Sequence, residues 1–251
     1  MSGELQSEDQ MSLLYVFAAS PMEAEPVRKA AASGDSAGVL RCGKNDVVLL
    51  TGAMGPRNAR SRAEVALAAP SEQRPGAVLI VGLCGGLTAD LREGKIVAYD
   101  ACLSTEEGRA SLPCSPVLTE SVAKVLASSN IPYERVTGVT SPRIATNRAE
   151  RSALSKYGAQ VVDMESYSIL DVAKLAGVPA IVLRVVSDSV DRNLPDLNRA
   201  LNESGGLDGR KALGVALRSP VATARLLAAN KRAMQRLSGA IQTVLQAPCF
   251  T

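Results

Sequence analysis

The sequence predicts a single α/β domain. Apolar runs of strand length alternate with amphipathic segments of helical length along most of the 251 residues, which is the pattern of strands covered by helices. One run, Ala180–Asp188 (AIVLRVVSD), begins as a near-continuous apolar stretch, as expected for a strand buried on both faces of a parallel sheet. Because the chain has no internal repeat and no low-complexity linker, we expect one domain over residues 11–251, after a disordered tail over residues 1–10.

The elements of the first half follow from local signals. Ser20 is suited to cap a helix whose first turn contains Pro21. A turn at residues 43–45 joins two short runs into a hairpin. Two glycine-rich turns, at residues 52–55 and 83–87, follow apolar runs, and such turns let a ligand approach backbone N–H groups. Strands are predicted over residues 13–19, 38–42, 46–51, 77–82 and 95–102, and helices from Pro21 and over residues 56–69.

The second half continues the alternation and ends in basic helices. Thr119 is expected to cap one helix and Ser219 another, which begins at Pro220. The final helix is expected to pack through one apolar face and to keep a solvated basic side, and a face for a membrane surface or a lipid substrate is the alternative. Its apolar positions include Val221, Leu226, Leu227, Met234, Leu237 and Ile241. Strands are predicted over residues 135–139 and 180–188, and helices over residues 119–129, 147–157, 211–217 and 221–245.

Composition excludes several classes of function. The chain is 46% hydrophobic but only 3% aromatic, so its core must be aliphatic. The absence of His removes Ser–His and Cys–His nucleophile pairs and His metal sites. The five cysteines have no metal-ligand spacing and are expected to be reduced thiols. A net charge of +3 without a dense basic run gives little support to nucleic-acid binding.

The sequence also predicts the cellular compartment. Residues 1–10 are polar and acidic, unlike the basic and then apolar start of a signal peptide. No stretch reaches the ~20 apolar residues that a membrane span needs. We therefore expect a cytoplasmic protein without a membrane span.

Two acidic turns flank the unit formed by residues 161–191. Asp163, Met164 and Glu165 open a helix, and Ser187 and Asp188 end the buried strand that follows. Ligands of open α/β sheets bind beyond the carboxyl ends of strands, and a carboxylate at a helix start suits the helix dipole. A helix cap and a turn former would have the same residues, so at this point structural and functional roles are equally well supported.

The motifs VVDMES and VPAIVLRVVSD resemble those of the purine nucleoside phosphorylase and nucleosidase superfamily, whose members cleave purine N-glycosidic bonds. The resemblance runs from about residue 13 to residue 191. It implies a three-layer α/β/α nucleoside phosphorylase-like fold with a central mixed sheet, no metal or organic cofactor, and a homodimer. The segment DRNLP and the basic tail resemble the hopanoid-associated phosphorylase branch.

The resemblance implies roles for four residues. Asp188, from the Ser187–Asp188 pair, protonates or hydrogen-bonds N7 of the purine, and burial is expected to keep its carboxyl suited to donate a proton. Glu165 accepts hydrogen bonds from the ribose hydroxyls, and Met164 packs beneath the sugar. Glu25, the last acid of the motif M-E-A-E, prepares the attacking water of the nucleosidases.

Further positions are carried over from the same family. The loop containing Cys84 and Gly85 is similar to one that lines the purine and ribose pockets. Ile144 corresponds to a residue placed against the purine. Met54 lies in the turn similar to the family's S-G-(I/M)-G turn, and we expect it to contact substrate.

A phosphate site is supported more weakly. Gly55, in the glycine-rich turn, and Arg57, just after it, are candidates for binding phosphate or another anion, although Arg57 could equally be solvated. Many relatives have Ser where this chain has Leu83, and that hydroxyl helps to hold phosphate or the water that replaces it.

The nucleophile and the substrate therefore stay open. Glu25 and Leu83 favour hydrolysis, whereas the resemblance to the hopanoid branch favours a phosphorylase that uses inorganic phosphate as co-substrate and removes adenine from adenosylhopane. Methylthioadenosine/adenosylhomocysteine nucleosidase is the alternative enzyme. A protein that binds a nucleoside without cleaving it is the alternative of another class.

Overall fold

The computed structural model describes residues 12–34, 38–70, 74–202, 206 and 208–250, so the tail predicted over residues 1–10 lies outside the described residues. The strands are β1 Ser12–Ala18, β2 Ser33–Gly34, β3 Val39–Cys42, β4 Asn45–Leu50, β5 Ala77–Gly86, β6 Ile96–Ser104, β7 Leu112–Pro113, β8 Tyr133–Thr140, β9 Val161–Asp163 and β10 Ala180–Asp188. The helices are α1 Pro21–Ala30, α2 Pro56–Leu67, α3 Pro116–Ser128, α4 Arg148–Ser155, α5 Ser166–Leu175, α6 Gly209–Arg218 and α7 Pro220–Gln246, with a 3₁₀ helix at Leu197–Ala200.

These strands form one mixed sheet in the order β10-β6-β8-β9-β5-β1-β4-β3-β2, and β7 pairs with β6. Strand β5 pairs in parallel with β10 and antiparallel with β9, so part of the sheet closes on itself. In this register Gly85 lies opposite Asp188 on one side and opposite Val162 on the other. The closure therefore brings the two acidic turns of the sequence to one place.

Helices cover both faces of the sheet. One core packs α1, α3 and α7 against the sheet, and the other packs α2 and α5 against its opposite face. Strand β10 is buried along its whole length, as its apolar sequence predicts. The expected single α/β domain with three layers and a central mixed sheet is confirmed.

Several local details differ from the expectations. Helix α3 begins at Pro116 with Ser115 as its N-cap, because proline suits the first helical position, and Thr119 lies inside the helix. Strand β5 continues through the glycine-rich segment to Gly86. Only part of the apolar face expected for α7 is buried. Val221 and Leu227 are exposed, whereas the buried positions are Leu226, Met234, Leu237 and Ile241.

No single helix in the described part of the chain has the length and apolar composition needed to cross a membrane. Helices α6 and α7 would meet that requirement only if they were taken together. They are bent by 117° at the break between them.

Candidate active site

A cavity of ≈ 200 Å³ lies where β5, β9 and β10 end. Four acidic residues line it, namely Glu23, Asp163, Glu165 and Asp188. The predicted substrate-binding residues that line it are Met54, Cys84, Gly85, Ile144, Met164, Glu165 and Ser187. The sheet closure thus brings together residues that are more than 130 positions apart in the chain.

Glu165 is buried at the N-terminus of α5 and is held by two donors. Its Oε1 accepts a hydrogen bond from the Gly55 N–H at 3.0 Å, and its Oε2 accepts one from Arg184 Nη2 at 3.2 Å. Burial raises the pKa of Glu165 to about 7, against the opposing effect of Arg184. A small change of surroundings, such as the arrival of a ribose hydroxyl, can therefore change its charge near neutral pH.

Arg184 is the buried cation that organises this carboxylate. Its Nε lies 3.3 Å from Asp163 Oδ2, and its Nη1 donates to the Leu83 carbonyl at 2.7 Å. Burial lowers the pKa of Arg184, but the Asp163 and Glu165 carboxylates outweigh that effect and raise it. For Asp163 the net effect is a lowered pKa. Burial raises the pKa of this carboxyl, but Arg184 and the hydrogen bonds from Ser166 and Thr140 lower it by more. Arg184 and Asp163 both stay charged. Because Arg184 also donates to Glu165, this buried ion pair fixes the orientation of the Glu165 carboxylate.

Tyr99 also contacts the ion pair formed by Arg184 and Asp163. Its hydroxyl donates to Asp163 Oδ2 at 3.0 Å. The fully buried ring lies against Gly138, where a Cβ atom would meet a ring carbon at 2.1 Å. The glycine is therefore required by the close approach of the ring.

Gly138→Ala is expected to lower the free energy of unfolding by about 1–3 kcal/mol, because the methyl group overpacks a site that has no space for it. Urea denaturation followed by circular dichroism measures the change. Gly239→Ala is the matched control, since its Cβ in α7 would meet no atom within 4 Å, and we expect it to gain about 0.5–1 kcal/mol from helix propensity. Equal effects of the two substitutions would contradict the packing argument.

Asp188 forms a buried ion pair with Arg151, which reaches the cavity from α4. The Ser187 hydroxyl donates to the other carboxylate oxygen of Asp188. Arg151 is itself held by the Gly86 and Ser189 carbonyls, to which its Nη1 donates at 3.2 and 3.1 Å. Both Asp188 oxygens thus act as acceptors. The sequence predicted only that this carboxylate is buried, and the structure adds two polar partners, Arg151 and Ser187.

The structure places Glu25 outside the cavity. Its side chain is exposed, pairs with Lys29 at 3.6 Å and does not line the described cavity. Glu23 is buried in the cavity instead, where it accepts from the Leu83 N–H and from the Ser20 hydroxyl, each at 2.8 Å. Residues two apart on a helix point to nearly opposite sides, so only one of the two glutamates can face the cavity.

The two candidates for an anion site, Gly55 and Arg57, do not line the main cavity. The Gly55 N–H donates to Glu165, so it is not free to bind phosphate. Its φ of 84° is a conformation that glycine adopts without strain. Arg57 is exposed and lines a separate cleft with Arg60 and Arg109. These two candidates therefore do not form an anion site in the main cavity.

Sequence reasoning missed Glu23, Arg151 and the role of Arg184. Arg184 had a usable signal, because an arginine inside a strand buried on both faces requires a buried anionic partner. Arg151 had none, since α4 otherwise has the composition of a solvated helix.

The rim of the cavity is aliphatic. Ile144 lies there, with its N–H and carbonyl held by the Asn198 side chain at 2.9 and 2.8 Å. The segment after β10 and helix α7 contribute Leu194, Leu197, Leu201 and Leu226, and the polar residues Arg143 and Asn230 also line the cavity. A ligand that extends out of the cavity thus meets mostly apolar side chains.

The cysteines contribute no reactive group here. All five are free and buried, and burial raises the pKa of the Cys84 thiol, which keeps it protonated and a poor nucleophile. Within the described ranges, no group of three His, Cys, Asp or Glu side chains is placed to hold a metal ion.

The model of the phosphorylase superfamily matches residues 16–206. The chain belongs to this superfamily. Solved structures share the fold of this superfamily member. One is a futalosine hydrolase of Helicobacter pylori, with a TM-score of 0.71 and 14% identity over 94% of this chain and 98% of that one. No curated protein sequence matches the chain closely.

Two nucleosidase structures are similar to this chain to the same degree. The 5'-methylthioadenosine/S-adenosylhomocysteine nucleosidase of Neisseria meningitidis, solved with methylthio-immucillin-A, has a TM-score of 0.72 and 16% identity over 94% of this chain and 99% of that one. The S-adenosylhomocysteine nucleosidase of Streptococcus pyogenes, solved with 5-methylthiotubericidin, has a TM-score of 0.72 and 15% identity over 94% and 97%. At such identities the likeness establishes the fold.

Proposed function

We propose that this superfamily member is an enzyme that cleaves the N-glycosidic bond of an adenine nucleoside. The observation that supports the proposal is the convergence of Glu23, Glu165 and Asp188 on one cavity beside Met164. A nucleoside needs an acceptor for its ribose hydroxyls and a polar group at its base, and the cavity offers both. The proposed reaction uses neither a metal nor an organic cofactor.

Each group has a role in the proposed reaction. The bond between C1′ and N9 breaks, its electron pair goes to the purine, and the sugar acquires oxocarbenium character. Glu165 accepts hydrogen bonds from the ribose hydroxyls, and its charge stabilises the cationic sugar that rests on Met164. Asp188 binds the base at N7 and, after taking up a proton from solvent, donates it to the departing purine, while the proton that leaves the attacking water returns to solvent.

Water is the nucleophile that we propose. Glu23 takes the proton of the water that attacks C1′, so it replaces Glu25 in the role that the family motif suggested. Two backbone N–H groups of the glycine-rich segments, at Gly55 and Leu83, already donate to Glu165 and Glu23. This leaves fewer donors for an anion, so inorganic phosphate as a co-substrate is the alternative.

The proposed substrate carries an apolar group at the 5′ position. The aliphatic rim formed by Leu194, Leu197, Leu201 and Leu226 would bury such a group. Adenosylhopane, which the resemblance to the hopanoid branch suggests, is the finer proposal. Methylthioadenosine or adenosylhomocysteine is the alternative, supported by the likeness to the two nucleosidase structures. We also propose a homodimer and a cytoplasmic location, and a peripheral contact with lipid is a separate proposal on which the reaction does not depend.

Adenine release tests the function. Adenosine and methylthioadenosine are each incubated with the protein, with and without phosphate, and adenine is separated by chromatography. Release without phosphate supports a nucleosidase, and release only with phosphate supports a phosphorylase. If neither substrate releases adenine, an adenine nucleoside with a long aliphatic 5′ group is assayed next, and failure there contradicts the proposed function.

The pH dependence of kcat/KM should report the ionisation of Glu165. Because the ionised form accepts the ribose hydroxyls and its pKa is about 7, we expect kcat/KM to fall as the pH drops below that value, by about tenfold per pH unit. At pH values above this pKa, kcat/KM should level off. Glu165→Gln should lower activity and abolish this limb, and an unchanged limb in the variant would assign it to another group.

A further inference from the structure

Helices α6 and α7 meet at a corner that exposes large apolar side chains. Leu213, Leu217, Val221 and Leu227 are each between 60% and 75% exposed. All four belong to one continuous stretch of 15 residues, interrupted only by the bend at Ser219. Large apolar side chains exposed this close together in the chain are candidates for a surface that binds another apolar phase.

The same corner is strongly basic. No acidic residue occurs between Gly209 and Gln246. The exposed cations that surround the apolar side chains are Arg210, Lys211, Arg218, Arg225 and Lys231. Exposed leucines interspersed with lysines and arginines are the composition of a helix that lies in the membrane interface.

We propose that the α6–α7 corner, defined by Leu213, Leu217, Val221 and Leu227, binds the surface of an anionic lipid bilayer. The leucines and the valine enter the boundary between headgroups and acyl chains, and the five cations contact lipid phosphates. Each such cation near an anionic membrane adds an attraction that salt screens. A second copy of the chain is a poorer partner, because a twofold contact would place two basic corners against each other.

The position of the corner gives the contact a consequence for the cavity. Leu226 and Asn230 of α7 line the cavity, and Leu227, next to Leu226, lies in the corner. Docking therefore brings the aliphatic rim to the bilayer, where a lipid-linked nucleoside could enter without crossing water. This consequence rests on the proposed function, whereas lipid binding by the corner does not.

Vesicle co-sedimentation tests the binding. The full chain is mixed with vesicles of phosphatidylcholine alone or of phosphatidylcholine with phosphatidylglycerol, at low and at high salt. We expect binding to the anionic vesicles that weakens as salt is added. No binding, or equal binding to both vesicles, would overturn the proposal.

Matched variants assign the binding to the corner. The pairs Leu213→Ser with Leu217→Ser and Arg218→Glu with Arg225→Glu are each expected to weaken binding by at least about tenfold. The controls Leu175→Ser and Lys174→Glu, on the exposed side of α5, should leave it unchanged. If the corner variants instead change only the mass measured by light scattering, the partner is a second copy and the proposal fails.

The two proposals can fail separately. Adenine release from a small soluble nucleoside is measured without vesicles, so it tests the proposed function alone. Vesicle binding by the same corner variants needs no turnover, so it tests the lipid surface alone.

Discussion

Glu23→Gln is expected to reduce phosphate-independent adenine release by about 10²–10⁴-fold, the contribution typical of a positioned general base. Glu25→Gln is expected to leave the rate unchanged. The two substitutions are chemically identical and lie in the same helical turn, but only Glu23 is buried in the cavity, whereas Glu25 pairs with Lys29 in solvent. Steady-state rates of both variants, measured side by side, make the comparison.

Two further measurements make this result interpretable. Circular dichroism and thermal unfolding should show that both variants fold, because Gln keeps the shape of Glu and can still accept from the Leu83 N–H. A loss of activity in Glu25→Gln with full activity in Glu23→Gln would refute the assignment of the base. If adenine release requires phosphate and the Glu23→Gln variant still releases adenine at the wild-type rate, Glu23 has a structural role.

Asp188→Asn is expected to reduce turnover by about 10²–10⁴-fold while the protein still binds a nucleoside. The amide cannot supply a proton to N7 as a carboxyl can, but it keeps the shape of the side chain. One amide oxygen remains to accept from Arg151, the buried partner of Asp188. Turnover and the Kd for a non-cleavable adenine nucleoside analogue are both measured.

The same variant separates an enzyme from a binding protein. A wild-type chain that binds the analogue but releases no adenine from any nucleoside, and whose Kd is the same in Asp188→Asn, is a binding protein. Because the substitution disturbs a buried ion pair, which could cost several kcal/mol, thermal unfolding of both proteins is compared. The double variant Asp188→Asn with Arg151→Met removes the unpaired charge and provides a second test if the single variant unfolds.

Much of the site was accessible from the sequence because its motifs lie at the ends of elements. Glu165 opens α5 and Asp188 closes β10, and such positions meet at the carboxyl ends of parallel strands. Cys84, Gly85 and Met164 were assigned through the resemblance of their motifs to the family, and all three line the cavity. The residues that were missed or misassigned, Glu23 and Arg151, depend on how a helix is rotated and on what it packs against.

The sequence by itself determined the alternation of strands and helices, the aliphatic core and the order of the acidic turns, because periodicity, capping residues and apolar runs act over a few neighbouring residues. Only the tertiary structure decided which glutamate of α1 faces the cavity and which arginine pairs with which carboxylate. These choices depend on the closure of β5 against β9 and β10. That closure brings together residues distant in the chain, and a buried charge must then find its partner among them.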